Sequence, residues 1–157
     1  MTVAEKLVEL LKARGLTCAT AESCTGGGVG SAITAVPGSS AVFAGGVISY
    51  ANEVKRDVLG VSADILRSVG AVSSETAAQM AEGARCLLKT DLAVSLTGIA
   101  GPDGGSEEKP VGLVWFGLAT KDGVRTEKAI FRGDRAQVRA QAVIHALGML
   151  TVASSVP

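Results

Sequence analysis

The sequence is poor in aromatic residues and histidine, and it carries no excess of either charge. Phe, Tyr and Trp make up 3% of the 157 residues, which leaves too few rings for a surface on which nucleic-acid bases would stack. Lys and Arg number 15, and so do Asp and Glu, so no basic excess is available for a phosphate backbone. We therefore expect no nucleic acid among the partners of this protein.

Long apolar runs and clusters of metal ligands are also missing from the sequence. No apolar stretch approaches the ~18 residues of a membrane-spanning helix, and the charged N-terminal segment does not resemble a signal peptide. The expectation is a cytoplasmic protein without a membrane partner. Cys18, Cys24 and Cys86 have no metal-ligand spacing and form an odd set, so we expect no metal and no disulfide framework. Their apolar neighbours predict core positions for Cys18 and Cys86.

The single histidine limits the catalytic chemistry that is available. His145 lies beside the apolar stripe of the last predicted helix, where packing is its expected role. A Ser-His-Asp triad requires a histidine that faces the nucleophile, so the sequence argues against one. A catalytic base would then be another residue type, and lysine can serve when burial or neighbouring groups lower its pKa.

Short apolar runs alternate with amphipathic segments along the chain. The predicted elements are a helix to Arg14, a strand over 16–21, a helix over 29–36, a strand over 45–51, a helix capped by Asn52, helices near 63–67 and 75–88, a strand over 91–97, strands over 111–119 and 124–131, and a helix after Asp134. Asp122-Gly123 between the last two strands indicates an antiparallel hairpin. We predict one α/β domain over residues 1–157, a layered sandwich of helices packed on a mixed, mostly parallel β-sheet.

Helical spacing predicts which side chains of the two longest helices face the core. In the helix near 75–88 these are Met80, Ala84 and Leu87. In the last helix they are Ala140, Val143, Ile144, Leu147 and Leu150.

The first predicted strand passes into a helix through residues 20–28, Thr-Ala-Glu-Ser-Cys-Thr-Gly-Gly-Gly. Backbone N–H groups and the positive end of the helix dipole favour anions and developing oxyanions at such a junction. Ser23 is placed like a nucleophile, although Ser23 or Thr25 could instead only cap the helix. Cys24 competes for the nucleophile's role, because a thiol at a helix N-terminus would be acidified.

A second junction of this kind follows the strand over 45–51. Tyr50 lies near the end of that strand, and Lys55 falls in the first turn of the next helix, where a cation opposes the helix dipole. Both side chains could reach the space beyond the strand ends. A solvated lysine and a tyrosine that only packs are the alternatives.

Four stretches of the sequence occur in an order that is specific to one known family. They are 21–27 (Ala-Glu-Ser-Cys-Thr-Gly-Gly), 49–55 (Ser-Tyr-Ala-Asn-Glu-Val-Lys), 70–73 (Gly-Ala-Val-Ser) and 97–105 (Thr-Gly-Ile-Ala-Gly-Pro-Asp-Gly-Gly). With these stretches the chain resembles the CinA C-terminal domain family over nearly its whole length. The resemblance implies an α/β layered sandwich, in agreement with the predicted order of elements.

The resemblance also implies an activity. It implies a nicotinamide-nucleotide amidase, which hydrolyses the carboxamide of nicotinamide mononucleotide to nicotinate mononucleotide and ammonia in pyridine nucleotide recycling, without a cofactor. Ser23 would be the nucleophile and Lys55 its base, with Tyr50 assisting. The implied substrate-binding residues are Glu22, Thr25, Gly26, Gly27, Asn52, Thr97, Gly98, Gly101, Arg135 and Arg139. For the two arginines, which would bind the substrate phosphate, a solvated helix face is the alternative.

A second hypothesis belongs to a different class of function. The same fold could be a catalytically silent module that binds a nucleotide or a partner, with Ser23 serving only as a cap. Release of ammonia from nicotinamide mononucleotide would distinguish the two hypotheses. A homodimer is an expectation from the habit of the family.

Overall fold

The computed structural model describes residues 1–155, so the last two residues of the predicted domain lie outside the described part of the chain. The elements are α1 Val3–Arg14, β1 Cys18–Glu22, α2 Gly28–Thr34, a 3-10 turn at Ser39–Ala41, β2 Phe43–Ile48, α3 Asn52–Asp57, α4 Ala63–Ser68, α5 Ser74–Leu88, β3 Leu92–Gly98, β4 Leu113–Thr120, β5 Gly123–Ile130 and α6 Arg135–Ser155. The predicted ends of α1 and α5 and the predicted starts of α4 and α6 are correct, and the other predicted boundaries differ from the observed ones by one to three residues. Thr2 and Glu5 form the capping box of α1, and Gly15 ends that helix in the left-handed conformation.

The five strands form one mixed sheet in the order β2-β1-β3-β4-β5. β1 pairs in parallel with β2 and with β3, whereas β3, β4 and β5 pair antiparallel. Four of the five strands therefore run in one direction, and β4 alone runs against them. The predicted α/β sandwich on a mixed, mostly parallel sheet is confirmed.

Helices cover both faces of the sheet. α1, α2 and α6 pack on one face, and α5 lies across the other. β3 separates its side chains accordingly, because alternate residues of a strand point to opposite faces. Leu92, Val94 and Leu96 join the core under α6, whereas Ala93 joins the core under α5.

Small residues let α5 approach the sheet closely. Ser95 Oγ donates a hydrogen bond of 2.5 Å to the carbonyl oxygen of Ala77 in α5. A side chain at Gly117 in β4 would collide with that same carbonyl group. The low aromatic content of the sequence fits this tight packing of helix on sheet.

Within residues 1–155, none of the helices has the length and apolar character needed to cross a bilayer.

Some predictions of burial were wrong. Cys86 and Leu87 are exposed, because the buried stripe of α5 runs through Ala77, Ala84 and then Leu88. The reason is similar for α6, in which the predicted core residues Ala140 and Ile144 are exposed. The buried stripe of α6 runs through Val138, Ala142, Ala146 and Leu150. Ala140 and Ile144 each lie two positions away from residues of this stripe, and two positions correspond to about 200° around a helix.

Candidate functional site

The carboxyl ends of three parallel strands meet at one edge of the sheet. Ser23 follows β1, Lys55 lies in α3 shortly after β2, and Thr97 is the penultimate residue of β3. The chain leaves β1 towards β2 through α2 on one face, and it reaches β3 through α5 on the other face. β1 and β3 therefore border the switch point of the sheet, where ligands of α/β proteins bind.

Lys55 is buried directly beside Ser23. Its side chain is 1% exposed, and its Nζ lies 3.0 Å from Ser23 Oγ. The same Nζ donates to the carbonyl oxygens of Ser49 at 2.7 Å and Tyr50 at 3.1 Å. Burial lowers the pKa of Lys55, against a weaker opposite influence of the neighbouring Cys24. No carboxylate pairs with this lysine in the part of the chain that the structure describes.

The backbone around Lys55 explains this placement. Ser49 continues the pairing of β2 beyond its end, because its N–H donates to the carbonyl oxygen of Glu22 at 2.7 Å. The chain then turns into α3, whose N-cap is Ala51. The prediction that Asn52 caps this helix was wrong, since Asn52 is its first helical residue and no side chain caps it. The short helix directs Lys55 back under the strand ends.

Glu22 anchors the loop that carries Ser23. The Glu22 side chain is 2% exposed, and its Oε1 accepts hydrogen bonds from Thr25 Oγ1 at 2.7 Å and Val29 N at 2.9 Å. Its Oε2 accepts from Gly30 N at 3.0 Å. The N-cap of α2 is Gly27, which makes no side-chain hydrogen bond, so neither Ser23 nor Thr25 caps this helix. Glu22 satisfies the free N–H groups of the helix instead.

Two glycines and one arginine complete the loop. Gly26 and Gly27 have φ values of +58° and +103°, a region that side chains rarely adopt. Arg139 in α6 donates from Nε to the carbonyl oxygen of Cys24 at 3.1 Å and from Nη2 to that of Thr25 at 3.2 Å. The Arg139 guanidinium is thus engaged by the protein backbone.

The thiol of Cys24 differs from the sequence prediction. Its side chain is 6% exposed, and burial raises its pKa to about 11, although its own backbone N–H, Arg139 and Lys55 act in the opposite direction. The expected acidified thiol is therefore absent. At neutral pH the Cys24 side chain is a neutral, mostly apolar wall beside Ser23.

A cavity of about 210 Å³ opens above the Ser23 hydroxyl. The residues that line it are Ser23, Cys24, Tyr50, Asn52, Lys55, Ala71, Val72, Thr97, Gly98, Ala100 and Arg135. Seven of these eleven were predicted as site residues, and six other predicted residues do not line it: Glu22, Thr25, Gly26, Gly27, Gly101 and Arg139. The structure therefore divides the predicted set into a group around the cavity and a group away from it, which comprises Glu22, Thr25, Gly26 and Gly27 in or next to the loop after β1, Gly101 in the segment after β3 and Arg139 in α6.

Backbone contacts hold the walls of the cavity in place. Thr97 Oγ1 donates to the carbonyl oxygen of Ala71 at 2.9 Å, which joins the end of β3 to the segment before α5. Arg135 donates from Nη1 to the carbonyl oxygen of Gly101 at 2.8 Å, and its Nη2 lies 3.4 Å from the Tyr50 hydroxyl. Gly101 therefore contributes its carbonyl group to the position of Arg135.

Four lining residues were not among the predicted substrate-binding residues: Cys24, Ala71, Val72 and Ala100. Apart from Cys24, they are small and apolar, so they carry no chemical signal in a sequence. The stretch 70–73 was part of the family resemblance, and it was the available indication for Ala71 and Val72.

His145 is remote from this cavity. Its Nε2 lies 2.8 Å from Glu127 Oε2, and its ring packs on Phe116 with the centroids 4.2 Å apart. This is the packing role that the sequence predicts. Across residues 1–155, no three His, Cys, Asp or Glu side chains gather as potential metal ligands.

Relatives of this chain carry the same architecture. A crystal structure of the competence/damage inducible protein CihA from Agrobacterium tumefaciens superimposes with a TM-score of 0.94 at 43% identity, over 98% of this chain and 94% of that one. The nicotinamide-nucleotide amidohydrolase PncC of Escherichia coli K12 is 51% identical over 151 residues, which cover 96% of this chain and 92% of that protein.

Other relatives are much longer proteins. The chain spans about a third of the length of several curated relatives that it matches. A CinA-like protein of Parasynechococcus marenigrum, for example, is 51% identical over 95% of this chain but only 36% of its own length. The family model of the CinA C-terminal domain matches residues 1–153 of this chain. The chain belongs to the CinA C-terminal domain family.

Proposed function

We propose that this protein is a nicotinamide-nucleotide amidohydrolase that converts nicotinamide mononucleotide to nicotinate mononucleotide and ammonia. The E. coli relative, which matches over 92% of its length, is named for a nicotinamide-nucleotide amidohydrolase activity, and this supports the reaction class. The product would re-enter pyridine nucleotide recycling. The observation that carries the proposal is the contact of 3.0 Å between the buried Lys55 Nζ and Ser23 Oγ.

The surroundings of Lys55 suit a base. A neutral lysine amine has two N–H bonds and one lone pair. If the two N–H bonds point to the carbonyl oxygens of Ser49 and Tyr50, the lone pair is left for the hydroxyl proton of Ser23. Burial favours this neutral form, because a charged ammonium loses hydration in the interior. The backbone thereby directs the lone pair of Lys55 to the nucleophile.

The reaction then follows the chemistry of acyl transfer. Ser23 Oγ attacks the carboxamide carbon while its proton passes to Lys55 Nζ, and a tetrahedral oxyanion forms. The C–N bond breaks, Lys55 gives its proton to the departing nitrogen, and ammonia leaves. A water molecule next gives a proton to Lys55 and attacks the seryl ester. Collapse of the second tetrahedral species returns the proton from Lys55 to Ser23 Oγ and releases the carboxylic acid, which loses its remaining proton to solvent and becomes the carboxylate.

Backbone N–H groups beside Ser23 would hold the oxyanion. Within residues 1–155 the N–H groups of Cys24, Thr25 and Gly27 donate to no oxygen, unlike those of Ser23, Gly26 and Gly28. Of these three, the N–H groups of Cys24 and Thr25 directly follow Ser23. Donors fixed in position before the reaction stabilise developing charge without reorganisation. These two N–H groups are therefore our candidates for the oxyanion hole.

The other cavity residues would bind the nucleotide. Arg135 is the cation that lines the cavity besides Lys55, and we assign it to the substrate phosphate. The exposed Tyr50 ring and the Asn52 side chain border the same opening. Arg139 does not line the cavity, and two of its nitrogens donate to carbonyl groups of the loop, so we no longer assign it to the phosphate.

The test is release of ammonia and nicotinate mononucleotide from nicotinamide mononucleotide by the purified chain. Lys55→Met keeps an unbranched side chain and removes the amine, so kcat should fall by about 10²- to 10⁴-fold, the usual share of general acid–base catalysis. Arg125→Ala is the matched control, because Arg125 lies in the β4–β5 hairpin and pairs with Glu127. Chelator should leave the rate unchanged, since no step uses a metal.

Two results would contradict the proposal. A parent protein that binds nicotinamide mononucleotide but releases no ammonia would be the silent module. Activity that disappears with chelator and returns with a divalent ion would exclude the Ser-Lys mechanism.

A further inference from the structure

We infer that Arg139 is a positioning residue that sets the direction of the Thr25 N–H group in the oxyanion hole. The inference rests on the proposed function, because it assigns a role to an N–H group beside the nucleophile. Arg139 does not line the cavity, and its hydrogen bonds go to the carbonyl groups of Cys24 and Thr25. It acts through the backbone of the loop.

The first observation is the choice of partners by Arg139. Its Nε and Nη2 donate to two consecutive carbonyl oxygens, those of Cys24 and Thr25, at 3.1 and 3.2 Å. None of the ion pairs within residues 1–155 involves this arginine. A partly buried guanidinium that binds two backbone carbonyl groups fixes both peptide planes, because its donors form a rigid, planar fork.

Peptide geometry transmits this restraint to the N–H groups. In a trans peptide the C=O and N–H bonds lie in one plane and point in opposite directions. The carbonyl of Cys24 shares its peptide with the N–H of Thr25, so a carbonyl held towards α6 directs that N–H away from α6. The carbonyl of Thr25 likewise shares its peptide with the N–H of Gly26, which donates to the Ser23 carbonyl at 3.1 Å.

The loop needs this external restraint. Gly26 and Gly27 both have positive φ, and glycine adopts several backbone conformations at little cost. Glu22 holds the Thr25 side chain, and it holds the far side of the loop through Val29 and Gly30. On the near side of the loop, the two hydrogen bonds from Arg139 hold the Cys24 and Thr25 carbonyls directly.

α6 is aligned with the loop along one face. Arg135, Arg139 and Val143 are spaced four residues apart, so they lie on one side of the helix. Arg135 lines the cavity, Arg139 binds the loop, and Val143 lies so close to Gly28 that a Cβ there would be 2.9 Å from its Cγ2. The helix thus places a substrate contact and a loop restraint in successive turns.

Arg139→Ala provides the test of this inference. With the carbonyls released, the Thr25 peptide can rotate, so kcat should fall about 10- to 100-fold, less than the ~10²–10³ lost when an oxyanion donor is removed outright. KM for nicotinamide mononucleotide should change less than threefold, because Arg139 does not reach the cavity. Arg139→Lys should recover part of kcat, since an ammonium reaches one carbonyl but lacks the fork. Arg125→Ala again serves as the control arginine.

A second readout does not depend on the identity of the amide. Diisopropyl fluorophosphate should phosphorylate Ser23 with loss of fluoride. During this reaction its phosphoryl (P=O) oxygen would accept hydrogen bonds from the same N–H groups of Cys24 and Thr25. The rate of labelling should fall in Arg139→Ala and recover partly in Arg139→Lys, with thermal unfolding followed in parallel. If kcat and the labelling rate of Arg139→Ala stay within twofold of the parent values, the inference is overturned. A large rise in the KM of Arg139→Ala with kcat unchanged would also overturn it.

Failure of the proposed function has a different signature. The parent would then be labelled at Ser23 without releasing ammonia, and the effect of Arg139→Ala on labelling would still decide the inference. A parent that is neither labelled nor active would refute both.

Discussion

The carbonyl oxygen of Ser49 lies 2.7 Å from Lys55 Nζ, closer to it than the Ser23 hydroxyl at 3.0 Å. Ser49 is itself fixed to Glu22 by its N–H and by its hydroxyl. The amine is therefore placed mainly by the backbone of β1 and of the turn after β2. Its position does not depend on the nucleophile that it would activate.

From this relationship we expect Ser23→Ala to remove activity and leave the fold intact. Lys55 keeps both carbonyl acceptors, so the midpoint of urea unfolding should hardly change, while kcat falls by more than about 10³-fold. Cys24→Ala should keep a measurable share of kcat, because its raised thiol pKa disfavours the thiolate. Both variants are compared by ammonia release and unfolding. The reverse order of activities would make Cys24 the nucleophile.

The pH dependence of kcat/KM identifies the base. Lys55 must be neutral to accept a proton, so the rate should rise with pH through its lowered pKa, below the ordinary lysine value of 10.5. His145→Gln should keep this rising limb and lose about 1 kcal/mol of stability, because the ring packs on Phe116. Loss of the limb in His145→Gln, with Lys55→Ala still active, would show that histidine is the base.

The lowered pKa of Lys55 also predicts how stability depends on pH. Between that value and the 10.5 of the unfolded chain, the unfolded state binds the proton and the native state does not. Stability therefore rises with pH across this window, by at most about 1.4 kcal/mol per pH unit, and the gain is absent below it. We expect the difference in unfolding free energy between parent and Lys55→Met to show this rise in urea titrations. A flat difference from neutral pH to 10.5 would indicate an ordinary lysine pKa.

Glu22→Gln tests the anchor of the loop. The carboxylate accepts three hydrogen bonds on two oxygens, whereas an amide presents one oxygen and an NH₂ group. At least one donor of the helix start then faces another donor, so we expect a loss of about 1–3 kcal/mol in unfolding free energy. kcat should fall with it. Glu127→Gln, on the partly exposed β5, is a control that should cost less.

The sequence was sufficient to place Ser23 and Lys55 at one edge of the sheet, and the structure brings the two side chains within 3.0 Å of each other. Ser23 and Lys55 were recognisable because each follows a strand end, and a hydroxyl beside glycines or a cation in a first helical turn needs an explanation. The order of elements and the hairpin at Asp122-Gly123 follow from short-range patterns, and the structure contains them.

What the sequence could not reveal depends on contacts between distant segments. Arg139 binds two backbone carbonyls 114 and 115 positions away, and a carbonyl group has no signature in a sequence. Glu22 appeared as a substrate contact because its three donors come together only when α2 forms. Leu87 and Ile144 were misplaced because an apolar residue fits several helix faces, and only the sheet decides which one is covered.

The strand order also governs when the chain acquires a usable site. Ser23 and Lys55 are 32 positions apart, and each follows one of the paired strands β1 and β2, which both lie in the first half of the chain. The N–H of Ser23, however, is tied to Leu96 in β3, and β3 joins β1 through contacts between residues as distant as Thr17 and Asp91, 74 positions apart. Such long closures are slow steps in folding. A chain emerging from the ribosome therefore contains Ser23 and Lys55 well before the segment that fixes the backbone of Ser23 has been synthesised.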